Sequence, residues 1–276
     1  IIFCLAVYFS ASFFTQNYYD QQWKNVADNY KKGQVKSNLP IILEIQNQAM
    51  KEDNASQLIR SLKAEFSIIN QTYDDTKNDS STQFFTKLQS FDQKLKGEDQ
   101  LVFQVLVGEF FSDYYNQNQW KINQRTNINN QDLSQIETWS KLDFKNFLSQ
   151  NFKKLDERKS DLQKISMSKY KDIFEQSEDI AYFPTLLEWN ATKEIDFYKN
   201  GQLFTPNELK ANQKKVSGLY DEVIAKNSGN TKLYFQHQKV NDECAFINCK
   251  NRVEQLENLV KNSSTQDDCQ VMIIED

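Results

Sequence analysis

Histidine and cysteine are scarce in this chain of 276 residues, which has one His and four Cys. His237, Cys244, Cys249 and Cys269 could together offer zinc an imidazole and three thiolates. Their spacing, His237-x6-Cys244-x4-Cys249-x19-Cys269, lacks the short knuckle of two Cys separated by two residues. Residues 238–260 read as helix, where positions five apart point about 140° from one another. Cys244 and Cys249 then cannot readily share a metal or a disulfide. A disulfide from Cys269 to either one in an oxidising compartment remains open, as does Cys249 as a small buried apolar residue. His237 beside Cys244 or a Ser would be a nucleophile pair, but no Gly-rich elbow or oxyanion loop accompanies it. The carboxylate pairs Glu52-Asp53, Asp74-Asp75, Glu178-Asp179 and Asp267-Asp268 are sequence neighbours, whereas glycosidase chemistry needs two carboxylates facing across a cleft. They read as solvated loop or helix-end charge. No catalytic, metal or cofactor set emerges.

The residues most worth following are Tyr115, Asn118, Trp120, Ile122 and Arg125, within Tyr115-Asn-Gln-Asn-Gln-Trp-Lys-Ile-Asn-Gln-Arg125. In a structural role, Trp120 and Ile122 pack under a loop while Arg125 and Asn118 tie backbone carbonyls at a helix end. In a functional role, the group is a docking edge for a following domain or a partner peptide. The five Asn-x-Ser/Thr sites, at Asn54, Asn70, Asn78, Asn190 and Asn262, are expected by chance in an Asn-rich chain.

Composition decides which elements can carry these residues. Six Gly and three Pro are too few for the phosphate loops of nucleotide-binding α/β folds or the turns of β-rich ones. Lys+Arg 33 against Asp+Glu 38 gives −5 with the signs interspersed, so no basic stripe marks a nucleic-acid binder. Aromatic content of 13% keeps the chain above the disordered class. Past residue 19, apolar residues recur at helical spacing. Leu39, Ile42, Leu43, Gln46, Ala49 and Met50 form one stripe. Asn54 to Gln57 reads as a capping box that opens a second: Leu58, Leu62, Phe66 and Ile69. Helices joined by so little loop lie antiparallel, as in helical-hairpin repeats. Ser80 starts the next helix, which Gly97 closes. Leu101 to Tyr115 is the most apolar helix, with Gly108 marking a close crossing. Phe144 to Leu155 forms a further face, and Thr205-Pro206-Asn207-Glu208 starts another helix. The expected fold class is all-α: antiparallel helical hairpins packed as an irregular TPR-like array.

Residues 1–16 differ from the rest. Ile1 through Phe14 carry no charge, and the first one is Asp20. The run is as long as a signal-peptide core and shorter than the roughly 20 residues of a membrane span. It reads as a signal peptide truncated at its start, followed by one helical region over 17–276. A buried N-terminal helix, or acylation at Cys4, are the other readings.

Tyr115 to Thr126, placed after the long apolar helix, resembles a signature of Bacteroidetes alpha-2-macroglobulin family proteins. Trp23-Lys24-Asn25-Val26, Thr138-Trp139, and Pro184-Thr185-Leu186-Leu187-Glu188-Trp189 before Ile195-Asp196-Phe197-Tyr198 resemble the same region in the same order. One departure is Phe183, where the family usually has a basic residue. The resemblance implies the helical head of a much longer protein, exported to the periplasm or cell envelope of a Gram-negative bacterium. Such proteins are similar to protease-trapping macroglobulins, with a bait segment and often a Cys-x-Glu-Gln thioester. No such tetrad follows any of the four Cys. The expected function is therefore a non-catalytic scaffold or interaction region of an endopeptidase inhibitor. Its partners would be the downstream macroglobulin domains and, through the full-length protein, proteases. No nucleic acid and no membrane span are expected. The alternative is a stand-alone exported helical-repeat protein that binds peptide or glycan.

Overall fold

The computed structural model describes residues 2–72, 79–127, 132–174, 178–247, 251–262 and 273, with no account of the side chains of 2–16, 79–80, 178–179 and 246–247. These residues are overwhelmingly helical and form no strand; Ser166 and Thr185 make an isolated bridge. The all-α expectation holds. The helices are α1 (Ile2–Lys31), α2 (Asn38–Lys51), α3 (Ala55–Gln71), α4 (Asp79–Asp92), α5 (Gly97–Ile122), α6 (Lys141–Asp156), α7 (Lys159–Leu162), α8 (Lys171–Phe174), α9 (Leu186–Lys199), α10 (Pro206–Lys226), α11 (Gly229–Ile247) and α12 (Arg252–Asn262). Among the described residues no helix is long and apolar enough to cross a membrane. Two compact units divide the chain: 1–106 with 132–137, and 107–131 with 138–276.

In the first unit α1 runs through the expected boundary at residue 16 without interruption. It ends where Gly33 takes φ 69, the left-handed turn that satisfies the last carbonyls of a helix. Helices α2 and α3 form the expected hairpin, turning at Asp53 with φ 51. The buried face of α2 contains Ile42, Ile45, Gln46 and Ala49, while Leu43 is exposed. Ile45 takes the place expected for Leu43. Asn54 caps α3 by accepting from the Gln57 backbone N–H at 3.2 Å. Gln57 does not reach back, because its Oε1 accepts from Trp23 Nε1 at 2.7 Å. That tie to α1 displaces the second half of the expected capping box. Helix α4 begins at Asp79 and ends at Asp92, and Gly97, with φ 60, opens α5 rather than closing α4. Phe66, Phe84 and Phe85 form the aromatic centre of this core, with ring centroids 5.2–6.0 Å apart.

In the second unit α9, α10 and α11 pack in succession, and cross-helix bonds fix their directions. Glu194 faces Lys215 and Glu188 faces Asn227, so α9 and α10 are antiparallel. Lys239 pairs with Asp221 and Ser217 with Glu243, so α10 and α11 are antiparallel too. Thr185 and Thr205 each anchor a complete capping box, and Pro206 takes the first helical position of α10. The helix expected over 238–260 is divided: α11 stops at Ile247 and α12 starts at Arg252. An added Cβ on Gly108 would stand 2.9 Å from Asn151 Nδ2 and 4.0 Å from Phe152 Cζ. The close crossing expected at Gly108 is therefore that of α5 with α6.

Candidate functional site

The last turns of α5 bring the motif residues together within the second unit. Tyr115 is fully buried, with its hydroxyl 2.9 Å from both Asn123 Oδ1 and the Gln202 carbonyl. Burial pushes its phenol pKa upward, against a smaller lowering by Asn123. Asn118 donates to the Tyr114 carbonyl at 2.9 Å, and Ile122 is fully buried. Arg125, past the helix end, donates through Nη1 to the Trp139 carbonyl at 2.9 Å. Asn116 Oδ1 accepts from Asn200 at 3.0 Å, in the turn that follows α9. This helix end is thus tied to Trp139 and to residues 200–202.

Trp120 departs from the expected packing. It is 62% exposed, the most exposed of the four tryptophans. The reason is angular: Tyr115, Asn118 and Ile122 take the inward positions of these turns, and at about 100° per residue Trp120 points elsewhere. Lys121 Nζ stands 5.3 Å from its ring centroid, a cation–π contact. Trp139 takes the buried place instead, at 0% exposure, with ring centroids 5.5, 5.3 and 5.7 Å from Phe111, Phe144 and Phe147.

The residues considered for chemistry are held apart or engaged in packing. His237 is 1% exposed on α11, and its Nε2 accepts from Asn241 Nδ2 at 2.9 Å. Asn241 Oδ1 in turn accepts from Arg252 Nε at 3.0 Å, linking α11 to α12. Cys244, 7% exposed, is disulfide-bonded, so it offers neither a metal nor a substrate a thiolate. The other three cysteine side chains lie outside the described residues, as do Asp74-Asp75, Asp267-Asp268, the Glu178-Asp179 side chains and Asn78. Glu52 accepts from Tyr19 at 2.7 Å and Gln48 at 2.6 Å. Asp53 occupies the α2–α3 turn. This pair serves packing and turn formation.

The sequence reading passed over a charged cluster of Asp156, Lys159, Glu194, Lys215 and Glu222. Its one sequence signal is Glu194 on the apolar side of α9, among Leu187, Ala191 and Ile195. No family model matches the chain, and neither a curated protein nor a solved structure matches it significantly.

Proposed function

We propose that the chain is a non-catalytic helical scaffold whose exposed Trp120 docks another segment of the same, longer exported polypeptide. The observation that carries this reading is the contrast at the end of α5. Tyr115, Asn118, Ile122 and Arg125 are committed to the helix or to neighbouring segments, while Trp120 beside them is 62% exposed. A Trp held on a rigid support contributes large contact area at little conformational cost, which is why Trp is enriched among residues that dominate interfaces. The resemblance to the alpha-2-macroglobulin family supplies the occupant: the domains that follow the helical head in an endopeptidase inhibitor of the periplasm or cell envelope. In this reading the hairpins form an irregular TPR-like array, and residues 1–16 are the signal peptide that directs export. The Cys244 disulfide supports export, because such bonds persist in oxidising compartments.

The exported full-length protein, with a photo-crosslinking phenylalanine analogue at position 120, tests the proposal. Irradiation and peptide mass spectrometry are expected to join position 120 to a segment beyond residue 276 of the same chain. Crosslinks to a separate protein or glycan would replace this reading with the stand-alone binder. A position that crosslinks to nothing would remove the docking role altogether.

A further inference from the structure

Six charged side chains alternate in sign along a seam of the second unit. Glu194 of α9 lies 3.0 Å, through Oε1, from Lys215 Nζ of α10. The same ammonium is 2.8 Å from Asp156 Oδ2 at the end of α6. Asp156 Oδ1 is 3.0 Å from Lys159 Nζ of α7, which reaches Glu222 Oε2 of α10 at 2.6 Å. Lys226 completes the chain 2.9 Å from Glu222 Oε1. The order is Glu194, Lys215, Asp156, Lys159, Glu222, Lys226. The Glu194 side chain has no exposed surface, whereas those of Lys226 and Glu222 are each 30% exposed.

Glu194 is the weak member of this chain. Asp156 has two ammonium partners, one of them hydrogen-bonded to its Oδ2, whereas Glu194 has one, which it shares, and neither Glu194 oxygen is hydrogen-bonded. One turn before it on α9, the buried Asn190 has neither amide atom hydrogen-bonded. The charged and titratable groups that face Glu194 are Asp156 from α6, Lys215 from α10 and Tyr198 on α9 itself. Ionising Glu194 places a second carboxylate, with no exposed surface of its own, beside Asp156, which favours keeping a proton on one of the two. Asp156, with the better partners, is the one that stays ionised.

We propose that Glu194, Lys215 and Asp156 form a proton-responsive latch on the α9–α10 seam, tight while Glu194 carries a proton and looser once it ionises. Burial, and then the Asp156 charge, raise the Glu194 pKa to about 7 from an ordinary 4.5, against a smaller lowering by Lys215. Burial also pushes Asp156 upward, but the ammonium groups of Lys215 and Lys159 together outweigh it and hold that carboxyl below its usual range. Glu222 is likewise held low: burial raises it, and the bonds from Lys159 and Lys226 prevail. A carboxyl raised in the folded state stabilises it fully below the unfolded value, and the contribution is lost as pH rises through the folded value. Asp156 and Glu222 act in the opposite sense, below about pH 4.5, where their stabilisation is lost on acidification. Within this chain of charges the group that responds between pH 5 and 8 is therefore Glu194; Asp196 of α9, also raised by burial, is the same in wild type and in a Glu194 variant.

The test compares urea unfolding of the whole chain and its Glu194→Gln variant at pH 5 and pH 8. For values of 4.5 and about 7, the folding constant of the wild type should fall roughly 70-fold between these pH values. The variant should lose most of that dependence. An equal pH dependence in both proteins would overturn the latch. Should Glu194→Gln fail to fold, the carboxyl carbon of Glu194 can be titrated by NMR in the wild type and in Asp156→Asn. It is expected to titrate near neutrality in the wild type and at lower pH in Asp156→Asn, where Lys215 is no longer shared. A wild-type midpoint in the ordinary carboxylate range refutes the proposal.

Discussion

Trp120 and Trp139 lie 19 residues apart in sequence and make opposite predictions on truncation to Ala. Trp139 is fully buried, with its ring against Phe111, Phe144 and Phe147. Removing it deletes an indole from a close-packed aromatic cluster that cannot collapse around the gap, a loss of about 3–5 kcal/mol. The backbone carbonyl that accepts from Arg125 survives the substitution, so the loss is one of packing alone. Trp120 is 62% exposed and its ring contact is with Lys121. Truncation there should change stability by no more than about 0.5 kcal/mol. At about 2–4 °C per kcal/mol for a unit of 150–250 residues, Trp139→Ala should melt at least roughly 6 °C lower, while Trp120→Ala stays within about 2 °C of wild type. Ellipticity at 222 nm, followed through thermal and urea unfolding of both variants, measures the difference. Equal costs, or a larger cost at Trp120, would refute the burial assignment and the docking role of Trp120 with it.

Two further outcomes follow from buried groups. Glu65, 5% exposed on α3, accepts from Gln46 Nε2 at 2.6 Å and pairs with Lys87. Glu65→Ala leaves a partly buried ammonium without its counter-charge and should cost about 3–5 kcal/mol in urea unfolding, whereas Glu65→Met with Lys87→Met should recover much of it; a negligible cost for Glu65→Ala would exclude this pairing. Cys244 of the protein isolated without reductant from its native host should resist alkylation until a reductant is added, and a thiol that labels without reduction would contradict the disulfide.

Helix was legible because apolar spacing and caps are local properties. The α2–α3 hairpin and the Thr205 capping box needed no partner outside their own segments to be read. What failed depended on distant residues. Gln57 is drawn from its own cap by Trp23, 34 positions earlier. Trp120 has the residue type of a core position, yet the aromatic slot near it is filled by Trp139. The division of α11 from α12 was hidden because residues 238–260 contain no Gly or Pro to mark a break. The charged cluster was the least legible. Asp156, Lys159, Glu194, Lys215 and Glu222 come from four helices, and no window of sequence holds them together.

The lysines of the second unit explain how such stripes choose one register. Parallel rows of Leu, Ile and Phe on neighbouring helices can slide by a turn and still bury similar area, because the hydrophobic effect is non-directional. Point charges cannot slide without losing a partner. Lys145 with Glu208, Asp156 with Lys215 and Lys159 with Glu222 join residues 63, 59 and 63 positions apart. This nearly constant offset requires α6 and α7 to run in the same direction as α10. Lys199 to Asp242 ties the ends of α9 and α11, and Lys239 to Asp221 joins α11 back to α10. Exposed pairs of this kind contribute about 0–1 kcal/mol each, so their sum is small beside the aromatic cores. Their weight lies in the alternatives they penalise: a one-turn slip of α10 would take Lys215 from Asp156 and Glu194 and Glu222 from Lys159 at once, and truncating one side of an enclosed pair costs more than the pair itself contributes.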